Sequence, residues 1–318
     1  MTNKEKYRLF CEKEKTVPIF SQAWWLDSVA GDSWDVCLVE NGEGIVASMP
    51  YATKKQYGLT LLSHPLLTQN LGPWIKQSKV KYNKMLSQQK KWMQELIDQL
   101  PEYDYFSQSW HYSQTNWLPF YWRGFEQTTR YTYVIEDLSN LDKVFGNFHS
   151  SYRNKVRKSE KVVTILKDME AEGFYEINKK TFLRQGVDVP YSKLFFLKHD
   201  NALANRKSRM IFYAIDSDEN VHSALYLTWD NMSSYVHMAG EDPKFRSSGA
   251  GIFLIWEAIK YTKNILNLNK FDFEGSTIES VEKVRRDCGA LQKPYFTVTH
   301  KPSKIVKTMF FLKNVIKG

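Results

Sequence analysis

The segment Arg246-Ser247-Ser248-Gly249-Ala250-Gly251, which precedes a strongly apolar stretch, constrains the fold more than any other part of the chain. Residues 252–259 are apolar on nearly every side of a helix, so the sequence predicts a buried helix that begins near residue 251. The N–H groups at such a helix start are unpaired and lie at the positive end of the helix dipole. Because Gly249 and Gly251 have no side chains to block an approach, we expect the backbone of 247–251 to hold a diphosphate, and Arg246 to add a charge-assisted hydrogen bond. The alternative is a glycine-rich helix start without a ligand. We refer to residues 246–251 as the glycine loop.

The predicted secondary structure places this loop in a mixed order of strands and helices. Strands are predicted at 36–41, 44–51, 59–63, 103–110, 131–136, 209–216, 221–229, 233–239, 270–275 and 294–300. Helices are predicted at 80–99, 140–160, 169–184, 192–204, 251–264, 278–287 and from Ser303 onward. The glycine loop therefore lies between a strand and a helix, and a further strand follows.

An internal similarity predicts two domains. The segment 46–51 (Val-Ala-Ser-Met-Pro-Tyr) resembles 221–226 (Val-His-Ser-Ala-Leu-Tyr), and after both come a second strand, a turn, a helix and an aromatic-rich strand. A length of 318 residues fits two domains of ordinary size. We therefore predict an α/β fold with mixed sheets (α+β) in two tandem domains, residues 1–138 and residues 139–318.

Composition limits the partners and the compartment. The net charge of +9 favours anionic partners, namely nucleotides, phosphorylated carriers, RNA or an anionic bilayer, although such a charge also serves solubility alone. Three widely spaced cysteines indicate neither a disulfide framework nor a metal site. The N-terminus lacks the apolar stretch of a signal peptide, and no apolar run reaches the ~18 residues of a spanning helix. We expect a cytoplasmic protein that binds neither metal nor DNA.

Several segments resemble the FemAB-like branch of the acyl-CoA N-acyltransferase (GNAT) superfamily, which includes peptidoglycan bridge aminoacyltransferases and acetyltransferases found with surface-polysaccharide synthesis. The pattern Arg-x-x-Gly-x-Gly of the glycine loop is similar to the GNAT loop for the pyrophosphate of coenzyme A. The other segments are 20–26, 116–125, 151–158, 271–276 and 284–289. The resemblance implies two tandem GNAT-like domains, with the acyl donor held by 139–318. It implies the acceptor side, with a degenerate donor loop, in 1–138.

Two departures from the family pattern bear on mechanism. Where the family often has Phe-Lys-x-x-Phe-Gly, with a lysine linked to catalysis, this chain has Val284 to Gly289, with Arg285 at the lysine position. Arginine keeps the positive charge but cannot act as a base, so Arg285 is expected to stabilise a phosphate or an oxyanion. The long helical hairpin of some tRNA-using members is absent, which weakens the tRNA interpretation.

Acyl transfer to an amine requires proximity, an oxyanion donor and a route for one proton. Backbone N–H groups at the end of the 233–239 strand are expected to bind the oxyanion. The predicted base is Glu274 or Asp272, which share a strand face by the two-residue period, or His237 on the strand before the glycine loop. Each of these side chains alone is more often structural.

Candidate substrate-binding residues fall into two groups. Tyr152, Arg153 and Arg157 lie on the 140–160 helix, where the two arginines share a face and suit the phosphates of a nucleotide-linked acceptor or donor. A solvated basic face at a helix C-terminus is the alternative. Trp110 and Tyr112 belong to an aromatic cluster that suits stacking on bases or sugars, although core packing is the more common reason for such a cluster.

Three functional hypotheses follow. The first is an N-acyltransferase that moves an acyl group, expected to be acetyl, from acyl-CoA to the amine of a nucleotide- or lipid-linked amino sugar in cell-surface polysaccharide synthesis. The second keeps the fold and uses aminoacyl-tRNA to modify a peptidoglycan precursor. The third is a non-catalytic binding module, which the intact glycine loop disfavours. The basic amphipathic segment 301–318 suits peripheral contact with an anionic bilayer, and docking on its own domain is the alternative.

Overall fold

A computed structural model describes residues 1–308 of the chain. The helices are α1 (Asn3–Lys13), α2 (Ala23–Ala30), α3 (Tyr82–Asp98), α4 (Leu118–Tyr121), α5 (Leu141–Asn147), α6 (Ser150–Ser159), α7 (Ala171–Arg184), α8 (Lys193–Asn205), α9 (Ala250–Asn264) and α10 (Glu279–Asp287). The strands are β1 (Trp34–Asn41), β2 (Gly44–Gln56), β3 (Leu59–Ser63), β4 (Trp74–Ile75), β5 (Tyr105–Ser109), β6 (Glu126–Ile135), β7 (Thr164–Lys167), β8 (Arg209–Ile215), β9 (Val221–Trp229), β10 (Ser234–Glu241), β11 (Phe271–Asp272) and β12 (Leu291–His300). The predicted mixed α/β class is confirmed.

The chain forms two compact units, of which the first contains Met1–Arg130 and the residues from Pro294 onward. Its strands follow the order β1-β2-β3-β5-β12, and β4 pairs with β2. β1 and β2 form an antiparallel hairpin at the predicted Asn-Gly turn, with Asn41 opposite Gly44. The core of this unit includes the helix α3 residues Met93 and Leu96, both fully buried.

The second unit contains Tyr131–Lys293, with the strand order β6-β11-β10-β9-β8-β7. Its neighbouring strands are antiparallel except for the parallel pair β10 and β11. The predicted boundary between the domains 1–138 and 139–318 lies close to the change from the first unit to the second at Tyr131. The prediction differs from the structure in assigning all of β12 to the second domain. The residues from Pro294 onward group with the first unit because β12 pairs along β5, with Thr297 opposite Ser109.

The predicted buried helix is confirmed as α9, whose residues Phe253, Leu254, Ala258 and Ile259 lie in the core of the second unit. This burial fixes the start of the helix, and hence the glycine loop, on a rigid element. Two other predicted elements differ from the structure in their extent. The predicted helix 140–160 is divided into α5 and α6, because the chain leaves helical geometry at Phe148 and His149. The strand predicted at 270–275 covers Phe271–Asp272 alone.

The structure describes only part of the predicted C-terminal helix. Residues 304–308 are helical, and residues 309–318, the larger part of the amphipathic segment 301–318, lie outside the described residues. Among the helices of residues 1–308, none has both the length and the apolarity that crossing a bilayer requires.

Candidate active site

The glycine loop follows β10 through one 3₁₀ turn, Pro243–Ser248. Asp242 caps this turn, since its Oδ1 accepts the backbone N–H of Lys244 at 3.0 Å. Gly249 then adopts a left-handed backbone conformation with φ of +75°, and α9 begins at the next residue. Glycine adopts this conformation without the steric cost of a Cβ atom, which explains why a sharp change of direction occurs at this position.

The surroundings of the two glycines differ. A Cβ atom at Gly249 would lie 3.3 Å from Cβ of Lys155, so α6 packs closely against this side of the loop. A Cβ atom at Gly251 would meet Ser223 Oγ at 3.6 Å and Glu241 Oε1 at 3.8 Å, which are ordinary contact distances. Gly249 is therefore required by the backbone and by packing, whereas Gly251 has room for a methyl group.

The outer side of the glycine loop is accessible. Arg246 and Ser247 are exposed, Ser248 and both glycines are partly exposed, and Ala250 is buried. The Arg246 guanidinium pairs through Nε with Glu241 Oε2 at 2.8 Å, and more than half of the arginine side chain remains exposed. Exposed pairs of this kind contribute at most about 1 kcal/mol, so an anionic ligand can replace Glu241 as the partner of Arg246.

The sheet opens along β10, the strand that leads into this loop. β10 and β11 pair in parallel at two positions, Ser234 with Phe271 and Tyr235 with Asp272. Immediately afterwards β10 contains a bulge between Val236 and Met238, where its pairing with β9 shifts by one residue. Because a bulge bends and twists a strand, it directs β10 away from β11.

His237 and Glu274 meet where the strands separate. His237 is the bulge residue, and its Nδ1 lies 3.1 Å from Glu274 Oε1; both side chains are at least nine-tenths buried. Glu274 has a left-handed backbone, with φ of +50°, and its N–H donates to Asp272 Oδ1 at 2.9 Å. The predicted strand period therefore does not apply to Asp272 and Glu274, and a local turn brings them together instead.

Asp272 adjoins this pair through its hydrogen bond from the Glu274 N–H. Its Oδ1 accepts the hydroxyl of Thr132 at 2.6 Å, and burial raises the pKa of Asp272 to about 7. Arg285 on α10 is close to both carboxyl groups and donates from Nε to the carbonyl of Phe273 at 3.1 Å. Burial lowers the pKa of Arg285, and the nearby Glu274 and Asp272 oppose this effect. The four predicted catalytic residues, Glu274, Asp272, His237 and Arg285, therefore form one cluster.

The predicted binding residues on α6 have different environments. Tyr152 is 6% exposed and belongs to the core, where burial raises the pKa of its hydroxyl to about 12. Arg153 donates from Nη1 to the carbonyls of Gly146 and Phe148 at the end of α5. Arg157 is exposed and has no ion pair among residues 1–308. Of the three, Arg157 is the side chain with its charge available to a ligand.

The predicted aromatic residues lie in the first unit. Trp110 is 1% exposed and packs edge-to-face on Phe120 with 4.8 Å between ring centroids, so its ring has a core-packing role. Tyr112 is partly exposed and lies against the His111 ring at 4.2 Å. Within residues 1–308, no group of three His, Cys, Asp or Glu side chains is arranged to hold a metal ion.

Two neighbours of the glycine loop, Glu241 and Lys155, were not among the predicted site residues. Glu241 ends β10 and faces both Arg246 and the position of a Gly251 Cβ atom. Lys155 lies between two predicted binding arginines and approaches Gly249. Their helix and strand positions were predictable, but the packing of α6 against the glycine loop joins residues about 95 positions apart and has no local sequence signal.

One family model matches within the second unit. Residues 146–279 match the family model of the acetyltransferase (GNAT) domain, a range that contains the glycine loop, His237 and Glu274. No curated protein sequence matches the chain.

Three solved structures share the fold over nearly the whole chain. FemX is 13% identical, with 93% of this chain and 96% of FemX aligned and a TM-score of 0.67. The C-terminal domain of a putative lysylphosphatidylglycerol synthetase from Agrobacterium fabrum is 7% identical, with 99% and 95% aligned and a TM-score of 0.58. A tandem GNAT protein from the clavulanic acid biosynthesis pathway is 9% identical, with 95% and 94% aligned and a TM-score of 0.53. At these identities the likeness shows a shared fold.

Residues 146–279 therefore carry an acetyltransferase (GNAT) domain, and the chain shares its fold with FemX and with a tandem GNAT protein. The predicted resemblance, the tandem GNAT fold and the enzyme class are confirmed by these comparisons.

Proposed function

We propose that this protein transfers an acyl group from acyl-CoA to the amine of an amino sugar that carries a nucleotide or lipid phosphate. The observation that carries the proposal is the position of the His237–Glu274 pair at the point where β10 leaves β11, on the same strand that leads into the exposed glycine loop. This arrangement offers an anion site and a proton acceptor on one strand. A GNAT domain implies use of acyl-CoA in general, and the expected donor is acetyl-CoA.

The residues of the second unit fit the chemistry of such a donor. The backbone of the glycine loop and the Arg246 guanidinium suit the diphosphate. The pantetheine arm carries amides, which can pair with the backbone of β10 beyond Tyr235, where β11 no longer pairs with it. Two residues of α7 already bond to the last part of β10. Asn178 donates to the carbonyl of Ala239 at 2.8 Å, and Thr181 accepts the N–H of Glu241 at 2.9 Å. The stretch 236–238 is therefore the part that suits the arm.

In the proposed reaction the amine nitrogen attacks the thioester carbonyl and forms the new C–N bond. Backbone N–H groups of the stretch 236–238, beside the His237–Glu274 pair, stabilise the oxyanion of the tetrahedral intermediate. The His237–Glu274 pair accepts the proton that the amine loses. The C–S bond then breaks, and coenzyme A leaves as the thiolate. The positive charge of Arg285 lies close to Glu274 and Asp272 and favours negative charge at this site.

A second candidate is transfer from aminoacyl-tRNA to a cell-envelope precursor. The likeness to FemX and to a putative lysylphosphatidylglycerol synthetase favours it. The exposed cations of α6, which lie beside the glycine loop, also suit the phosphates of RNA: Lys155, Arg157 and Lys158.

Release of the free thiol tests the first proposal. The protein is incubated with acetyl-CoA and a panel of UDP-linked amino sugars, and the same acceptors with an N-acetyl group in place of the amine serve as matched controls. Thiol release that requires the free amine supports the proposal. If no amine acceptor releases thiol but aminoacyl groups move from tRNA to a precursor, with steep salt dependence, the second candidate replaces the first.

A further inference from the structure

His222, the second residue of β9, contacts the turn that leads into the glycine loop. Its ring lies parallel to that of Phe245, with 4.3 Å between the centroids and 2° between the planes. Phe245 belongs to the turn Pro243–Ser248 and directly precedes Arg246. The carbonyl of His222 also accepts the N–H of Asp242 at 3.0 Å, where this turn begins. One residue therefore holds the turn through both its backbone and its ring.

Asp216 fixes the orientation of the His222 ring. His222 Nε2 lies 3.0 Å from Asp216 Oδ2. The carboxylate also accepts the side-chain amide of Asn220 at 3.0 and 3.2 Å and the backbone N–H groups of Asp218 and Asn220 at 3.0 and 2.9 Å. Because these groups all donate to the carboxylate, Nε2 carries the proton of the bond to Asp216. His222 is 4% exposed, so Asp216 and Phe245 restrain a ring that solvent hardly reaches.

Other contacts hold the two ends of the segment 240–251. At one end, Ser223 donates to the carbonyl of Gly240 at 2.8 Å, and the Lys180 ammonium lies 2.5 Å from Asp242. At the other end, Gly249 packs against Lys155. The His222 ring packs against the middle of the segment, immediately before the residues proposed to meet the diphosphate.

We propose that His222 is a positioning residue for the acyl donor, which holds the turn so that the glycine loop presents its N–H groups and Arg246 to the diphosphate. This inference rests on the proposed acyl-CoA donor. Backbone donors that are already in place need no reordering when the ligand binds, so a turn that is free to move binds the diphosphate more weakly. The reacting groups at the His237–Glu274 pair do not depend on this contact.

The test compares variants at His222. In His222→Ala, the Kd for coenzyme A and the KM for acetyl-CoA are expected to rise about tenfold, which corresponds to about 1.4 kcal/mol, while kcat changes less than about twofold. His222→Phe keeps a ring on Phe245 and is expected to stay within about threefold of the wild-type Kd. The matched control is His300→Ala, since His300 stacks on Phe125 at 4.4 Å in the first unit, and it is expected to leave the Kd unchanged.

S-acetyl-pantetheine, which lacks the diphosphate, separates positioning from a general loss of structure. Its KM is expected to be the same in the wild type and in His222→Ala. An equal rise for both donors, or an unchanged Kd for coenzyme A in His222→Ala, overturns the inference and leaves the proposed function standing. Failure of the wild type to bind coenzyme A overturns the donor assignment and the inference together. If His222→Ala does not fold, the comparison of His222→Phe with Asp216→Ala decides, because the second variant releases the ring and is expected to bind coenzyme A more weakly.

Discussion

The Nδ1 atom of His237 lies 3.1 Å from Oε1 of Glu274; His237 is on β10, and Glu274 follows the end of β11 by two residues. His237 is displaced from the β10 pairing by a bulge, and Glu274 leaves the line of β11 through a left-handed backbone conformation. The register of Ser234 with Phe271 places His237 level with Glu274, so the imidazole and the carboxylate remain neighbours although the backbone of both segments is irregular there. Irregular backbone of this kind often occurs at functional sites.

Removing the carboxylate tests its role as proton acceptor. Glu274→Gln keeps the size of the side chain and a hydrogen bond to His237 but cannot accept the proton. We expect kcat to fall by about 10² to 10⁴ with little change in the Kd for acetyl-CoA. The measurement is steady-state kinetics together with calorimetry. Glu279→Gln, at an exposed carboxylate in the first turn of α10, is the control. A kcat within about threefold of the wild type would exclude Glu274 from proton transfer.

Asp272 predicts a specific pH dependence of stability. Its pKa is raised to about 7 in the folded protein, whereas the unfolded chain has the ordinary value of about 3.9. Folding therefore takes up a proton between these two values, so this group destabilises the fold as the pH rises from about 4 to about 7. Asp272→Asn, which mimics the protonated carboxyl, removes this contribution.

The free energy of unfolding from urea denaturation at pH 4.5 to 8 measures the effect. Relative to Asp272→Asn, the wild type is expected to lose about 3 kcal/mol over this range, as the roughly 2.5 pH units between 4.5 and the raised pKa imply. The loss levels off above pH 7. A difference that stays constant with pH, or that favours the wild type as the pH rises, contradicts the raised pKa.

Gly251→Ala separates folding from donor binding. A Cβ atom at this position has only ordinary contacts, and alanine favours a helix over glycine by about 0.5 to 1 kcal/mol. We expect the variant to be at least as stable as the wild type and to bind coenzyme A more weakly, because a methyl group obstructs the approach to the backbone. Thermal denaturation and calorimetry measure the two effects. Unchanged affinity in a folded variant would show that the diphosphate does not approach this glycine.

Glu241→Gln tests the ion pair at the glycine loop. The substitution frees Arg246 and removes a negative charge near the proposed diphosphate. We expect the KM for acetyl-CoA to fall about threefold at low salt and the effect to shrink at high salt. Glu40→Gln, which breaks the exposed pair with Lys6 in the first unit, controls for loss of a surface ion pair. A raised KM in Glu241→Gln would mean that Glu241 contributes to donor binding.

The parts of the site that the sequence predicted depend on local patterns. The glycine loop and the buried α9 were predictable, because apolar residues around a helix and glycines at its start are signals within one short segment. The pairing of His237 with Glu274 was not predictable, since it depends on the register of β10 against β11, Ser234 with Phe271, which no local pattern fixes. These two residues were predicted as possible bases only from their positions on predicted strands.

Whether a single side chain is available to a ligand depends on long-range packing, which a local sequence pattern does not show. Tyr152 and Trp110 were candidates for substrate binding, and their burial places them in hydrophobic cores. Arg153 bonds the carbonyls at the end of α5, a contact created by the break at Phe148 and His149 within the predicted single helix. The stack of His222 on Phe245 likewise joins two elements that no sequence period relates.

The most direct test of the central claim is calorimetric titration of coenzyme A into the wild-type protein and into Ser247→Glu. Ser247 is exposed, and a glutamate near the start of α9 suits the helix dipole, so this variant should fold while repelling the diphosphate. Ser280→Glu, at an exposed position on α10, is the matched control. We predict micromolar binding to the wild type and the control, and binding at least about tenfold weaker in Ser247→Glu. Equal affinities in all three proteins, or no binding of coenzyme A by the wild type, would contradict the account.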